Sequence, residues 1–417
     1  MKLSVTDRAV LAGETGSTGE RMALELVTKA AAMLGADRLI RIHSGHIDGC
    51  LFHGNAGVTY CEKLVSGGAQ VRVPATTNVG ALNLLRPDQC RLSSAARKMA
   101  FRLMVAHEKL GCRPSWTCAP YQAGARPEAG QQIAWGESNA VAFANTVLGA
   151  RTNRYGDFLD IACAISGKAP FYGLHIAENR YARLVLDTSL LPAAVTQDSA
   201  FYPVLGSLIG RLAGETVCAV TGLPRDADED KLKALCAAAA STGAVALVHL
   251  VGVTPEAPDL DTALGGNEPE ATVTITAEMM ADVRRNLSMV SDGPIDCVAV
   301  GSPHFSEAEC RSVLALAGGR SFAVPFYICM GRHTLKALGA DGTDLALVSL
   351  GVEIVTDTCV VVTPVLPAKP GVMMTNSAKF AHYAMGNTGH LPVFGTLAEC
   401  VASAQQGHVR RPGQGDR

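Results

Sequence analysis

At 417 residues, 48% of them hydrophobic, the chain can bury a large core and divide into two to four domains. Charged residues make up 18% and the formal net charge is -2, which excludes the basic surplus of a nucleic-acid binder. No apolar run reaches the roughly 20 residues of a membrane span and the N-terminus has no signal-peptide core, so a cytoplasmic protein without membrane association is expected.

Few aromatics (5%) and 42 glycines predict an α/β enzyme with close helix–sheet packing. In chain order, Ser17-Thr18-Gly19-Glu20 reads as a capping box. It opens a helix with Met22, Leu26, Ala30 and Met33 on one face, ended by Gly35. Gly13–Gly19 resembles a phosphate cradle but lacks the Gly-Lys-Ser/Thr ending, and is read as helix capping. A strand at Arg38–Ile42 delivers His43, His46 and Asp48, and a second at Gln70–Val73 delivers Pro74, Thr77 and Asn78. Loops at the carboxyl ends of strands are where α/β sheets bind ligands.

A helix from Ser94 to Leu110, closed by Gly111, precedes the loop Trp116-Thr117-Cys118-Ala119-Pro120-Tyr121, and residues 122–131 read as an exposed loop. The stretch from Trp135 to Arg154 sets Glu137, Ser138, Asn139, Asn145, Arg151, Thr152, Asn153 and Arg154 among small apolar residues. Buried polar groups need partners, and a polar ligand beside a cysteine-bound metal would supply them. Further on, strands are expected at Ala244–Val253, Cys297–Val300 and Val352–Val355, with a surface loop at Ala257–Glu270. The endings after the first two, residues 251–256 and 301–306, are loosely alike and suggest a faint repeat. The expected organisation is a lobe over 1–205, α/β units over 206–290 and 291–404, and a flexible tail over 405–417.

Thirteen cysteines without a CxxC pair argue against zinc-ribbon and thioredoxin-like sites, and disulfides are not expected in the cytosol. Cys163, Cys218 and Cys236 lie in Ala/Val-rich runs and read as core thiols. Cys118 and Cys359 follow ordered elements in polar loops, where they are either iron or zinc ligands or inert thiols; Cys297 opens a strand and reads first as core. His43, His46 and Asp48 are a solvated strand end or an acid–base or zinc group. Ser377 and Lys379 suit a proton donor or base and a carboxylate partner; taken singly, each reads as a surface or cap residue.

Several segments, in order along most of the chain, together resemble aconitase X, a divergent branch of the aconitase superfamily. They are His46-Ile47-Asp48-Gly49, Val73-Pro74 with Thr77-Asn78, residues 117–121, Glu137 to Arg154, Pro170 to His175, Gly301-Ser302-Pro303-His304, Asp357-Thr358-Cys359 and Asn376-Ser377-Ala378-Lys379. The resemblance implies three-layer α/β/α domains with mixed or parallel sheets. It also implies an iron–sulfur dehydratase whose cluster has three protein ligands and an iron left free as Lewis acid. Family members dehydrate cis-3-hydroxy-L-proline, the expected substrate here, or mevalonate 5-phosphate, the alternative. By motif, Cys118 and Cys359 are ligands. Related sequences often carry Gly-Cys-Pro-His where this chain has Gly301-Ser302-Pro303-His304, so Cys297 is taken as the third, and [2Fe–2S] is favoured over [3Fe–4S] or [4Fe–4S].

His46, Asp48, Glu137, Ser138, Ser377 and Lys379 are then the candidate catalytic groups, and Thr77, Asn78, Asn139, Arg151, Arg154, Ser302 and His304 the candidate substrate contacts. Arg151, Arg154 or Lys379 would hold the substrate carboxylate. No segment is left over for the family's small swivelling domain, so a separate small subunit is the expected partner, and the superfamily's serine base is often on that domain. Outside the family, a zinc hydrolase using His43, His46 and Asp48 and a non-catalytic metabolite-binding subunit remain the alternatives.

Overall fold

The structure, a computed structural model, describes residues 1–411. Its strands are short and mostly buried. The first segment holds β1 (Leu39–Arg41), β2 (Gly45–Ile47), β3 (Ala75–Thr77), β4 (Ala134–Trp135) and β5 (Lys168–Pro170). They form a parallel sheet ordered β3-β2-β4 and an antiparallel β1-β5 pair. The second segment holds β6 (Leu184–Asp187), β7 (Cys218–Thr221), β8 (Val248–Leu250) and β9 (Ala271–Thr274), in a parallel sheet ordered β8-β7-β6-β9. The third holds β10 (Cys297–Phe305), β11 (Phe326–Met330), β12 (Val352–Val355), β13 (Val372–Thr375) and β14 (Leu391–Phe394), all parallel, ordered β12-β11-β10-β13-β14.

Parallel sheets bury both faces, and successive residues on a strand point to opposite sides. In β10, Val298 and Val300 join one core with Cys310, Val313, Leu338, Leu347 and Cys400 from the helices after the strands. Cys297 and Ala299 turn the other way, into a core shared with Phe380 and Ala384 and with Val79, Leu82, Met104, Trp116 and Cys118 of the first segment. That second face brings the Cys118 loop against the third sheet. β6 and β7 alternate in the same manner, Leu186, Cys218 and Val220 to one core and Val185 and Ala219 to another. Helices thus cover the sheets, as the α/β expectation required.

The Phe201–Ala213 and Glu229–Thr242 helices cross at glycine: a Cβ on Gly210 would lie 2.8 Å from Ala239 O, and one on Gly206 would lie 2.9 Å from Ala238 Cβ. The Ala237–Ala240 run supplies the matching small surface, so the two backbones approach closely.

Several expectations shift. The capping box at Ser17 and Glu20, the Ser94–Lys109 helix with Gly111 at φ +92°, and β12 fall where predicted. The strand expected at 70–73 instead follows Pro74, because proline cannot donate into a ladder and so precedes β3. Residues 257–270 are not simply a surface loop: they contain the Leu260–Leu264 helix, and Ala257 and Ala263 are buried. The second and third sheets do share an order, a first strand in the middle, the next two to one side and the fourth to the other. In that correspondence β8 matches β12 rather than β10, so the likeness of 251–256 to 301–306 does not follow the repeat. Gln405 and Gln406 close the Leu397–Gln406 helix, and His408 bridges to Pro294, so 405–411 is packed; the rest of the expected tail, 412–417, lies outside the described residues. Among the described residues no helix is long and apolar enough to cross a membrane.

Candidate functional site

Three thiols face one another where the first segment meets the third sheet. Cys118 and Cys359 are buried and within electrostatic reach of each other. The third is Cys329, near the end of β11, whose thiol interacts with the Cys359 thiol and also feels Cys118. The Cys329 hydrogen bond, against the opposing pull of burial, lowers the Cys359 pKa; Val361 N–H, Lys379 and Ser302 add to it. At Cys118, burial first and then the Glu137 charge push the thiol up to about 12. Cys297, the third ligand expected from the sequence, opens β10 beside Met373 and lies in the same core, but no hydrogen bond or charge interaction links it to the other three thiols as they are linked to one another. Ladder register aligns Val300 with Ile328, which sets Cys329 beside Gly301. Gly301 has φ +89°, and a Cβ there would lie 2.9 Å from Cys329 N, so glycine is required for the strand to pass the Cys329 backbone.

Beside the thiols lies a buried ion pair. Glu137 caps the Ser138–Thr146 helix, accepting from Ala140 N–H at 2.6 Å, and receives Lys379 Nζ at 2.6 Å. Burial works against both charges, but the Lys379 ammonium and the helix N–H groups hold the Glu137 carboxyl below its usual range. Lys379 is raised, its burial outweighed by Glu137, Cys118 and Cys359. Asp48, at the exit of β2, behaves oppositely: burial and then the Glu137 charge push its pKa up to about 6, against the Asn78 amide that donates to it. Beneath it Asp160 Oδ2 accepts from Asp48 N–H at 2.7 Å and Gly49 N–H at 3.1 Å, and burial pushes Asp160 up to about 7. His46 is fully buried with Nδ1 2.8 Å from Thr76 Oγ1; burial takes it down to about 4, so it is neutral. His43, on the same stretch, has Nδ1 on Gln132 O instead, so the His-x-x-His-x-Asp zinc arrangement does not form.

Other predicted residues hold the framework. Thr77 Oγ1 accepts from Trp116 N–H at 3.2 Å and steadies the Cys118 loop. Asn139 donates to Cys118 O and Tyr121 Oη, both at 3.1 Å, and Ser138 Oγ lies 3.4 Å from Glu137 Oε1. Ser377 caps the Ala378–Thr388 helix through Phe380 N–H and donates to Ser302 O, so its hydroxyl is engaged. His304 Nε2 donates to Thr358 O at 3.2 Å, which leaves Nδ1 to accept from Thr117 Oγ1 at 3.0 Å, while its backbone N–H donates to Cys118 Sγ at 3.3 Å. Burial lowers this imidazole to about 4. His304 therefore clips the loops of Cys118 and Cys359 together.

The two arginines are not at the thiols. Arg151 lies 3.9 Å from Glu256, which also pairs with buried Arg180, and Arg154 donates to Ala240 O and lines a surface cavity of about 700 Å³. Asn145 bonds Thr152, Ala246 O and Arg180. Apart from Arg151 Nε, which is buried without a hydrogen-bond partner, these side chains of the distal half are engaged by protein, and only the Glu137–Asn139 end meets the thiols.

Among the described residues no three His, Cys, Asp or Glu side chains are drawn together tightly enough to ligate a metal as they stand. The donor chemistry fits iron all the same. Soft thiols converge, one is already biased toward thiolate, and buried polar atoms around them lack partners: Asn139 Oδ1, Asn78 Oδ1, His46 Nε2 and Asn376 Oδ1. Residues not foreseen are Cys329, Asp160, and the Arg332–Asp357 pair that holds the turn before Cys359 at φ +63°. Gly331 just after the Phe326–Met330 run was the one available signal for a site loop there.

Fold and site define an α/β protein in which buried thiols adjoin the Glu137–Lys379 ion pair. Family models for the aconitase X first, second and third domains match residues 1–178, 182–285 and 295–406, so the chain belongs to the aconitase X family. The cis-3-hydroxy-L-proline dehydratase of Pseudomonas aeruginosa is 42% identical over 411 residues, 97% of this chain and 70% of that protein. The phosphomevalonate dehydratase large subunit of Methanothermobacter thermautotrophicus is 35% identical over 93% of this chain and 94% of its own length. The crystal structure of Thermococcus kodakaraensis aconitase X in its holo-form matches with a TM-score of 0.86 at 32% identity, over 97% of this chain and 100% of that one.

Proposed function

We propose that this chain is the catalytic subunit of an aconitase X-type hydro-lyase that removes water from cis-3-hydroxy-L-proline, yielding an enamine that tautomerises to Δ1-pyrroline-2-carboxylate. The observation that carries the substrate choice is the charge pattern: one ammonium, Lys379, set among Glu137 and a protonatable Asp48. A zwitterionic imino acid matches that pattern, its carboxylate to Lys379 and its ring nitrogen to the acids. A phosphorylated acid needs several cations, and Arg151 and Arg154 are engaged elsewhere. The identity to hydroxyproline dehydratases supports the same choice.

Cys118, Cys329 and Cys359 are the residues that would hold an iron–sulfur centre, [2Fe–2S] by preference. When bound, it supplies a Lewis acid that eases departure of hydroxide at neutral pH. Asp48, at the mouth of β2 and raised to about 6, carries a proton to or from the substrate. Glu137 fixes Lys379, and Asn78 orients Asp48. A small subunit completes the enzyme, as the name of the archaeal large-subunit relatives suggests.

The test is anaerobic co-expression with a candidate small subunit, iron and acid-labile sulfide analysis, and assay with both candidate substrates. Loss of cis-3-hydroxy-L-proline with equal iron and sulfide supports the reading. Turnover of mevalonate 5-phosphate alone replaces the substrate, and zinc without sulfide removes the lyase reading.

A further inference from the structure

Lys233 lies on the Glu229–Thr242 helix of the second segment and is 1% exposed. A lysine ammonium has three hydrogens, and here each has an acceptor: Asp230 Oδ1 at 2.8 Å, Glu309 Oε2, and the backbone carbonyl of His304 at 3.3 Å. The acids are held in turn. Asp230 Oδ2 accepts from Ser306 Oγ at 2.6 Å, and Glu309 closes the capping box of the Glu307–Ala317 helix on Ser306 N–H at 2.8 Å. Burying a lysine between two carboxylates is a poor route to stability, because desolvation offsets most of the attraction. Such a group is better explained by what it positions.

What it positions is His304. The imidazole is clipped on both nitrogens, by Thr117 and by Thr358 O, and the carbonyl is held by Lys233. With both ends of the residue fixed, its N–H points at Cys118 Sγ. Behind this loop lies a cavity of about 30 Å³ bordered by Lys233, Glu309, Ser302, Pro303, Asn376 and Ser377. Two hydrogen bonds hold the loop beside it, Ser377 Oγ to Ser302 O and Lys233 Nζ to His304 O.

We propose that Lys233 is a positioning residue: from the second segment it holds the His304 carbonyl and so fixes the residue whose N–H, on the preceding peptide, meets the Cys118 sulfur. Hydrogen bonds to ligand sulfurs tune and stabilise thiolate-held centres. The idea deepens the iron–sulfur reading above, yet the Cys118 geometry it concerns exists without iron.

The experiment compares Lys233→Met, Lys233→Arg and Asp230→Asn in the full chain with its small subunit. One arm records the visible and electron paramagnetic spectra of the anaerobic protein. The other follows alkylation of Cys118 in iron-free protein by mass spectrometry, with buried Cys163 as reference. Lys233→Met is expected to change the spectra and speed Cys118 alkylation by about tenfold or more relative to Cys163. Lys233→Arg restores both, and Asp230→Asn lowers the melting temperature while altering neither. If Lys233→Met only lowers the melting temperature, with Cys118 labelling and spectra as in the parent, the proposal is overturned. A parent protein without iron sinks the cluster reading alone, since the alkylation arm still decides. Should Lys233→Met not fold, Lys233→Gln takes its place in both arms.

Discussion

Asp48 shows how burial and charge set a protonation state at one residue. Removal from water favours its neutral form, Glu137 and Asp157 add repulsion, and Asn78 and Lys379 recover only part of the ionised form, leaving it at about 6. Asp160 lies beneath on its backbone N–H. kcat/KM is therefore expected to rise through about pH 6 as Asp48 ionises. Asp48→Asn should lower turnover by about 10²–10⁴-fold and flatten that limb, with iron content unchanged; a variant keeping the parental profile would remove Asp48 from the chemistry. The cysteines divide in the same way. Cys329→Ser should lower bound iron and sulfide, whereas Cys297→Ser, in a core of apolar neighbours, should cost about 1–3 kcal/mol of stability and leave the metal content intact. From pattern alone Cys118 and Cys359 stayed open between ligand and inert thiol and Lys379 read as a surface or cap residue; the family resemblance singled them out, and the structure buries both thiols and pairs Lys379 with Glu137. Cys329 was not singled out, because a thiol inside Phe326–Met330 looks like any small core residue, and only register places it beside Gly301. Arg151 and Arg154 misled for a related reason: a motif shows which polar groups are present but not whether protein or ligand satisfies them.

Among elements, the loops after parallel strands and the starts of two helices do the positioning. Glu137 and Ser377 each cap a helix while reaching toward the centre, so capping and site geometry are one constraint. The helix of 94–109 was readable from its 3.6-residue period and its closing glycine. The strands were less so: three- and four-residue strands carry too few alternations to fix their ends, and β3 slid past Pro74. The glycine crossing of the Phe201–Ala213 and Glu229–Thr242 helices gives a second test. Gly210→Ala adds a methyl against the Ala239 carbonyl and the Gly243 backbone. It should destabilise by about 1–3 kcal/mol, read as a lower melting temperature. Because this helix pair carries Lys233, the same variant should also loosen the centre. An unchanged melting temperature would mean the helices separate freely and do not brace the site.

At the scale of the whole molecule, the second and third sheets repeat one strand order, yet the site uses them unequally: the third supplies thiols, the second a brace. The first segment closes the centre by packing across the Cys297–Ala299 face of β10. Two buried carboxyls at its floor make global stability depend on pH. Asp160 and Asp48 keep their protons in the folded chain to about 7 and about 6, whereas an unfolded carboxyl of this type releases its proton near 3.8. Between those values the native state binds more protons than the unfolded one, so this contribution is fully present below the unfolded pKa and is lost as pH rises through the folded pKa values. Glu137 has the opposite sign: its lowered pKa contributes stability above its unfolded value and loses it on acidification. So do the buried histidines His46, His107 and His304, lowered to about 4, and His175, lowered to about 3, against an ordinary 6.5, so the aspartate contribution is read as a difference between parent and variant. The two aspartates should accordingly contribute a fall in melting temperature from about pH 4 to about pH 7, set against the rise that the histidines contribute. Asp160→Asn keeps an oxygen to accept from Asp48 and Gly49 N–H but cannot ionise, and should flatten that fall. Parallel melting curves for parent and variant over this range would show that Asp160 is already ionised throughout, and that something other than its proton holds the Asp48 loop.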